Sequence, residues 1–501
     1  MSVAANPLVP LAELAVAAQV SRRPRREFWL LRLMPLALGL AFFAYMFIGV
    51  MPMTDVSATA SGEGSSTERI AVLAMTGLAL IEIARRRRVV LPLLLRSLPI
   101  WLILGWFCAS VSWAAFPDIA LRRVSVMVFI CTIALAIAAG IGPLRRALGT
   151  MLAILVVVIA ADLAVTVLNP GYAFTDLGVR GYHQQKNVAG LAAMVAVIAG
   201  TGWTLVNGRP RRILAGLVFL AASFLFLVLT KSKTSLLLAV LGAGMLPALL
   251  VLRRLGPAAA LGLGLLGAAA VGILYLAVTG FGGDFLALLT PGNDASFTVR
   301  TQIWDFAASE IARRPWTGYG FGSFWDVGDA NDPLLRAPPG SWLATLKIGE
   351  RAEVLINEAH NGYLDLRLQG GMPALILTLI AQGLTILALA RKMFSRRTAR
   401  PDAVAAATFL VIALVVLVHN ATESSFWMRG QILANLTILI SFLAFRQEPR
   451  SGEDRPVLHS APDPGKSPGI AGEDQRPARP ASREADPFSH PGLAGARRHT
   501  P

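Results

Sequence analysis

Long apolar runs alternate with short polar gaps along most of this chain. The runs are roughly 18 to 25 residues long, matching the ~20 residues a helix needs to cross a ~30 Å hydrocarbon layer. They read as spans at about 29–51, 69–84, 90–114, 119–140, 147–168, 187–206, 213–230, 234–252, 257–279, 361–390, 403–420 and 428–446. The period-two alternation of a membrane barrel is absent. The pattern therefore predicts an all-α polytopic membrane protein of about twelve transmembrane helices. It divides into an N-terminus at 1–28, nine spans over 29–279, a large loop with short helices over 280–360, three spans over 361–446 and a tail at 447–501.

Composition agrees with this pattern: 55% of the 501 residues are hydrophobic and 15% charged, too apolar for a soluble domain of this size. The net charge of +16 raises the question of nucleic acid, but most basic residues sit between spans, so no nucleic-acid partner is expected. Clusters at Arg22 to Arg26, Arg85 to Arg88, Arg145/Arg146, Arg209 to Arg212, Arg253/Arg254 and Arg391 to Arg400 fall in alternate gaps. The positive-inside rule assigns those gaps, and both termini, to the cytoplasm. The first apolar run is too long for a signal peptide and reads as an uncleaved span. Arg96, inside the third run, is expected to snorkel toward the cytoplasmic side. Cys108 and Cys131 lie within spans, away from metal-ligand spacing, and read as packing residues. After Gln447 the chain is rich in Pro, Ser, Gly and charge, the composition of a disordered tail.

Orientation does not account for the basic residues left on the opposite face: Arg122/Arg123, Arg180, His183, Lys186, Lys231/Lys233, Arg300, Arg313/Arg314, Arg336, Lys347, Arg351, His360 and Arg429. Several lie at span ends, at headgroup depth, where guanidinium and ammonium groups suit a lipid with a charged diphosphate head. The same residues can also serve as interfacial anchors. The loop of about eighty residues between Thr279 and His360 exceeds ordinary connection lengths. It contains SFTVRTQIWDFAASEIARRP, which places Phe297, Trp304, Ala308 and Ile311 on one helical face. The aromatic run PWTGYGFGSFW follows, where Tyr319 and Trp325 are candidate sugar contacts or else packing residues. The loop carboxylates Asp284, Asp305, Asp326, Glu350, Glu353 and Glu358 read as solvated. Asp162 and Glu82 fall within spans and should face the bundle interior or an interface. His360 opens the tenth span, where the positive end of a helix disfavours imidazolium and favours a neutral, proton-accepting ring. A helix-cap or interfacial role fits its position equally.

Taken together, GVRGYHQQKNVAG, KSKTSLL, RRPWTGYGFGSFW and EAHNGYLDLRLQGG resemble the O-antigen ligase and exopolysaccharide polymerase superfamily over roughly residues 90 to 445. HNGYLDL at His360 to Leu366 and GYGFG at Gly318 to Gly322 are the most specific elements. The resemblance implies a metal-independent, inverting glycosyltransferase without a cofactor, acting at the periplasmic face of the bacterial inner membrane. Its donor would be an undecaprenyl diphosphate-linked glycan, its acceptor a second lipid-linked repeat or the lipid A-core, with membrane lipids and polysaccharide assembly proteins as further partners. Arg180 matches the loop arginine expected to bind diphosphate, Arg300 the long-loop arginine, and His360 the histidine proposed to activate the acceptor hydroxyl. Tyr182-His183-Gln184-Gln185-Lys186 departs from the usual His-Lys-Asn order, so either His183 or Lys186 takes that role. On this reading Arg180, Lys186, Arg300, His183 and Lys233 hold the donor, His360 is the base, and Asn361 joins Tyr319 and Trp325 near the sugars. The competing class is a flippase or transporter of lipid-linked oligosaccharide, which should carry ionisable groups near mid-membrane.

Overall fold

The computed structural model describes residues 29–49, 66–256, 258–259, 262, 294–345 and 356–447. The ninth expected span and the tail fall almost wholly outside these residues. Each of the other expected spans contains helix. In chain order these are α1 (Trp29–Phe47), α2 (Ser66–Arg85), α3 (Arg87–Arg96), α4 (Leu98–Ser110), α5 (Pro117–Gly140), α6 (Leu144–Leu168), α7 (Lys186–Val206), α8 (Pro210–Leu229), α9 (Lys233–Leu255), the loop helix α10 (Asp294–Arg313), α11 (Gly362–Phe394), α12 (Arg400–His419) and α13 (Ile432–Phe445). A two-residue antiparallel ribbon pairs β1 (Phe174–Thr175) with β2 (Gly178–Val179).

The chain is an all-α membrane protein. Seven of the described helices are long and apolar enough to cross a bilayer, or eight if α3 and the α4 segment count as one bent span. The count of twelve apolar runs thus exceeds the number of membrane-length helices described. The third run is not one straight span, because its two halves meet at 76°. Ser97 Oγ donates back to the Leu93 carbonyl, 2.7 Å away, and Pro99 lacks an N–H for the helical ladder. Arg96 ends α3 and is exposed there.

α7 sits at the centre of the bundle and is buried from Ala189 to Gly200. Its Ala and Gly residues let neighbouring backbones close in; a Cβ at Gly202 would lie 2.1 Å from Thr408 Oγ1 on α12. The basic gaps converge at one end of the bundle. There Arg145 pairs with Asp402 at 2.9 Å, buried Glu82 pairs with Arg85 and Arg86, and Arg253 reaches the Thr398 carbonyl. The other end carries the β1–β2 ribbon, the segment between α12 and α13, and the described part of the long loop.

This loop has its own small core, built from Ile303, Phe306, Ala307 and Ile311 of α10 with Phe324, Trp325 and Leu334. The buried face of α10 is therefore rotated from the sequence expectation, leaving Ala308 exposed and Trp304 half-buried. The cause is Glu310. This apolar-facing carboxylate is buried because Arg313, Arg336 and the Tyr319 hydroxyl all donate to it, at 2.6, 3.0 and 2.7 Å. Burial, together with the hydrogen bond and charge of Glu310, pushes the Tyr319 phenol up to about 12.

α11 is broken at Gly371, whose φ of 67° and ψ of −162° leave the helical region. The aromatic run of the loop fills the break. Tyr319 N–H donates to the Leu368 carbonyl at 2.7 Å, Met372 N–H to the Pro315 carbonyl at 3.0 Å, and Trp106 Nε1 to the Gly370 carbonyl at 2.8 Å. Backbone groups freed by the break thus find partners inside the protein, as apolar surroundings require. A Cβ at Gly371 would stand 2.1 Å from the Trp316 carbonyl oxygen, so glycine is required there. GYGFG owes its glycines to the same fit: Gly318, Gly320 and Gly322 all have positive φ and press against Leu368, Ala114 and Arg123.

Candidate active site

His360 lies just before α11, at the loop-bearing end, with its ring half-buried. Its Nδ1 is 3.0 Å from Glu358 Oε1 and 3.0 Å from Glu423 Oε2. Glu423, from the segment after α12, also accepts from Arg300 at 2.7 Å, and Arg300 reaches the Thr422 carbonyl at 2.9 Å. The long loop, the start of α11 and the α12–α13 segment thus meet at one histidine. Neither carboxylate stands out in the sequence. Glu358 reads in sequence as one of the solvated loop acids, whereas its side chain is only 13% exposed; Glu423 is distant in sequence and has no local motif.

This environment reverses the expected charge on His360. Burial works against the imidazolium, but the hydrogen bonds and charges of Glu358 and Glu423 outweigh it and raise the histidine pKa to about 9. Burial would raise the Glu423 pKa, yet His360 and Arg300 hold it below the ordinary carboxylate value. The helix N-terminus is a weaker influence than two carboxylates in contact. The neutral resting imidazole expected from sequence is replaced by one that is protonated near neutral pH.

Asn361 acts locally. Its Oδ1 accepts from Tyr363 N–H and Leu364 N–H at 3.1 and 3.2 Å, capping α11. Asp365 fixes the turn that presents His360. Its carboxylate accepts from Trp325 Nε1 at 2.7 Å, from Ala359 N–H at 3.0 Å and from the Ser424 hydroxyl. Trp325 is consequently buried, as are Phe321 and Phe324, and much of the aromatic run is core; Trp316 is exposed.

Arg123 of α5 secures the loop beside this site. Its guanidinium donates to the carbonyls of Gly322, Trp325 and Asp326 and lies 3.3 Å from Asp326 Oδ2. A cavity of about 150 Å³ opens there, with Arg123, Trp325, Glu358, Gln369, Trp427 and Arg429 among its lining. Glu358 joins the cavity to His360.

The remaining donor candidates gather around the β1–β2 ribbon. Arg180 lies over the Tyr172 ring at 3.9 Å, while its Nε donates to the Tyr172 carbonyl at 2.8 Å. Lys186 Nζ donates to the Leu177 carbonyl at 2.9 Å. Lys233 begins α9, exposed and next to the Lys231 turn. His183 faces inward: it is buried, stacked on Tyr182, with Nε2 3.5 Å from Asp162 Oδ2. In this arrangement Lys186, not His183, is exposed enough to meet a ligand. Among the described residues no hydrogen bond or ion pair links this basic ribbon to the His360 group.

Backbone conformation marks the same places. Among the described residues, the non-glycine residues with positive φ are Lys231, Asp326, His360 and Trp427. Such conformations cost roughly 1–3 kcal/mol each and concentrate at functional sites. One lies in the basic ribbon, one at the histidine, and two line the cavity.

Glu358, His360 and Glu423 present three ligand atoms within 4.8 Å of one another, a spacing able to hold a metal ion. A cation there would have to compete with the Nδ1 proton and with Arg300 for the same carboxylates.

The chain matches no curated protein. Residues 217–379 match the O-antigen ligase family, a region that includes Lys233, Arg300, the GYGFG turn, Glu358, His360 and the α11 break, but not Arg180, Lys186 or Glu423. Over this stretch, about a third of its length, the chain is similar to the O-antigen ligase family.

Proposed function

We propose that this protein transfers a glycan from an undecaprenyl diphosphate carrier to a sugar hydroxyl at the periplasmic face of the inner membrane, with both termini in the cytoplasm. The observation that carries this reading is the His360 arrangement. A ring whose Nδ1 is held by carboxylates, with no partner described for Nε2, is built to accept a proton at Nε2. In the reacting state Nδ1–H donates to Glu358 and Glu423 while Nε2 removes the acceptor proton. The same carboxylates stabilise the imidazolium that forms, as in other base–orienter pairs. The hydroxyl oxygen attacks the anomeric carbon with inversion, and the lipid diphosphate leaves with its bonding electrons. Arg180, Lys186 and Lys233 would hold that diphosphate and Arg300 would hold Glu423; the cations take the role of a metal.

Transport is a poorer account. The carboxylates within spans serve as anchors: Glu82 at the basic end, and Asp162 beneath the ribbon, accepting from Tyr182 N–H at 3.2 Å. The test is polymer profiling of a deletion strain complemented with the wild-type or His360→Ala protein at verified membrane levels. Outward-facing single repeats without polymer indicate a polymerase; long lipid-linked polymer missing from lipopolysaccharide indicates a ligase. Repeats trapped on the cytoplasmic side would sink the transferase reading.

The raised histidine pKa also sets a pH dependence. The base works as the neutral ring, which is lost as pH falls below about 9. The chemical step should therefore quicken about tenfold per pH unit up to that value and then level off. Glu423→Gln removes one stabilising charge and moves the plateau to lower pH. A rate that instead declines through pH 9 would show that the imidazolium is the working form.

A further inference from the structure

We propose that the cavity beside Glu358 is the acceptor subsite and that Arg429 makes it selective for a sugar bearing a carboxylate. The proposal rests on the transferase reading for its location and on the cavity's own charge balance for its specificity. Of the charged groups lining the cavity, Arg123 is spent on three loop carbonyls and Asp326, and Glu358 on His360. Arg429 is exposed at the cavity, and no ion pair or hydrogen bond engages its guanidinium among the described residues. One positive charge is thus left over in the cavity that Glu358 joins to His360. A guanidinium binds a carboxylate through two parallel N–H donors.

The rest of the lining suits a sugar ring. Trp325 and Trp427 supply apolar surface, and Asn357 and Gln431 supply amides for hydroxyls. The volume of about 150 Å³ leaves room for the terminal sugar of an acceptor, with the rest of the glycan outside the cavity. Trp427 immediately precedes the Met428-Arg429 pair and holds a φ of 55°, a conformation a bulky residue keeps only when its surroundings enforce it. Its ring packs on Phe107 at 5.6 Å, which keeps Arg429 at the cavity.

The experiment uses the full-length protein in nanodiscs, with quenching of tryptophan fluorescence by octyl β-glucuronide and octyl β-glucoside. The wild-type protein should bind the glucuronide at least tenfold more tightly. Arg429→Gln should abolish that preference, and Arg429→Lys, which keeps the positive charge, should retain part of it. Equal binding of the two sugars, or a preference that survives Arg429→Gln, overturns the proposal. So does competition by farnesyl diphosphate that depends on Arg429, because the guanidinium would then belong to the lipid carrier's head. Transfer assays on the same samples separate the two readings: active protein without sugar preference removes only the acidic-sugar assignment, whereas preference without any transfer removes the enzymatic one.

Discussion

His360→Ala should lower glycan transfer on the order of 10²- to 10⁴-fold, the usual contribution of a positioned general base, while membrane insertion is unchanged. The loss is expected at kcat, because the ring acts on a proton that moves only in the reacting state. His360 has a φ of 49°, which alanine tolerates poorly, so His360→Asn is the matched control. Asparagine accepts left-handed backbone but cannot take up the proton. Both variants should be inactive and equally well inserted. Full turnover by well-folded His360→Asn would remove this histidine from the chemistry and leave Glu358 as the next base to consider.

Arg123→Met should also silence the enzyme, but by releasing the loop. The substitution keeps an apolar stem of similar length and removes every donor to the carbonyls of Gly322, Trp325 and Asp326. Hydrogen bonds from charged donors contribute roughly 1.5–3 kcal/mol each, so loss of the set exceeds what the aromatic contacts can replace. Limited proteolysis should then cut near residues 315–327 while the bundle stays inserted, and transfer should fall with loop docking. Arg123→Lys should recover little, because one ammonium cannot span carbonyls arranged for a planar fork. An inactive Arg123→Met protein with a fully protected loop would show that Arg123 acts on substrate directly.

Helices were the most legible feature of the sequence, because a run of apolar residues is both the reason for a span and its visible signature. The break in the third run was less so: Pro99 and Ser97 were in view, yet an apolar run reads the same whether straight or bent by 76°. His360 stood out through its position before an apolar run and through HNGYLDL. Its protonation state did not, because it depends on Glu423, which approaches only when the α12–α13 segment folds back. Arg300 resembles a diphosphate-binding arginine in sequence, and its ion pair with that same glutamate has no sequence signal. The buried face of α10 is not legible from periodicity because a charged residue counts as polar there, whereas Glu310 is buried with Arg313, Arg336 and Tyr319. Asn361 is a candidate sugar contact in the sequence, and its place directly before a helix also marks it as a cap, since asparagine there satisfies the first N–H groups. Arg123 was visible as an unexplained basic residue, but its three carbonyl partners carry no side-chain signal at all.

The most direct test of the central claim is transfer by the purified protein in liposomes, supplied with a lipid diphosphate-linked glycan and an acceptor in the presence of a metal chelator. The account predicts a lengthened or newly attached glycan and free lipid diphosphate in equal amounts, lost in His360→Asn. Movement of the intact lipid-linked glycan between leaflets with no new glycosidic bond would contradict it.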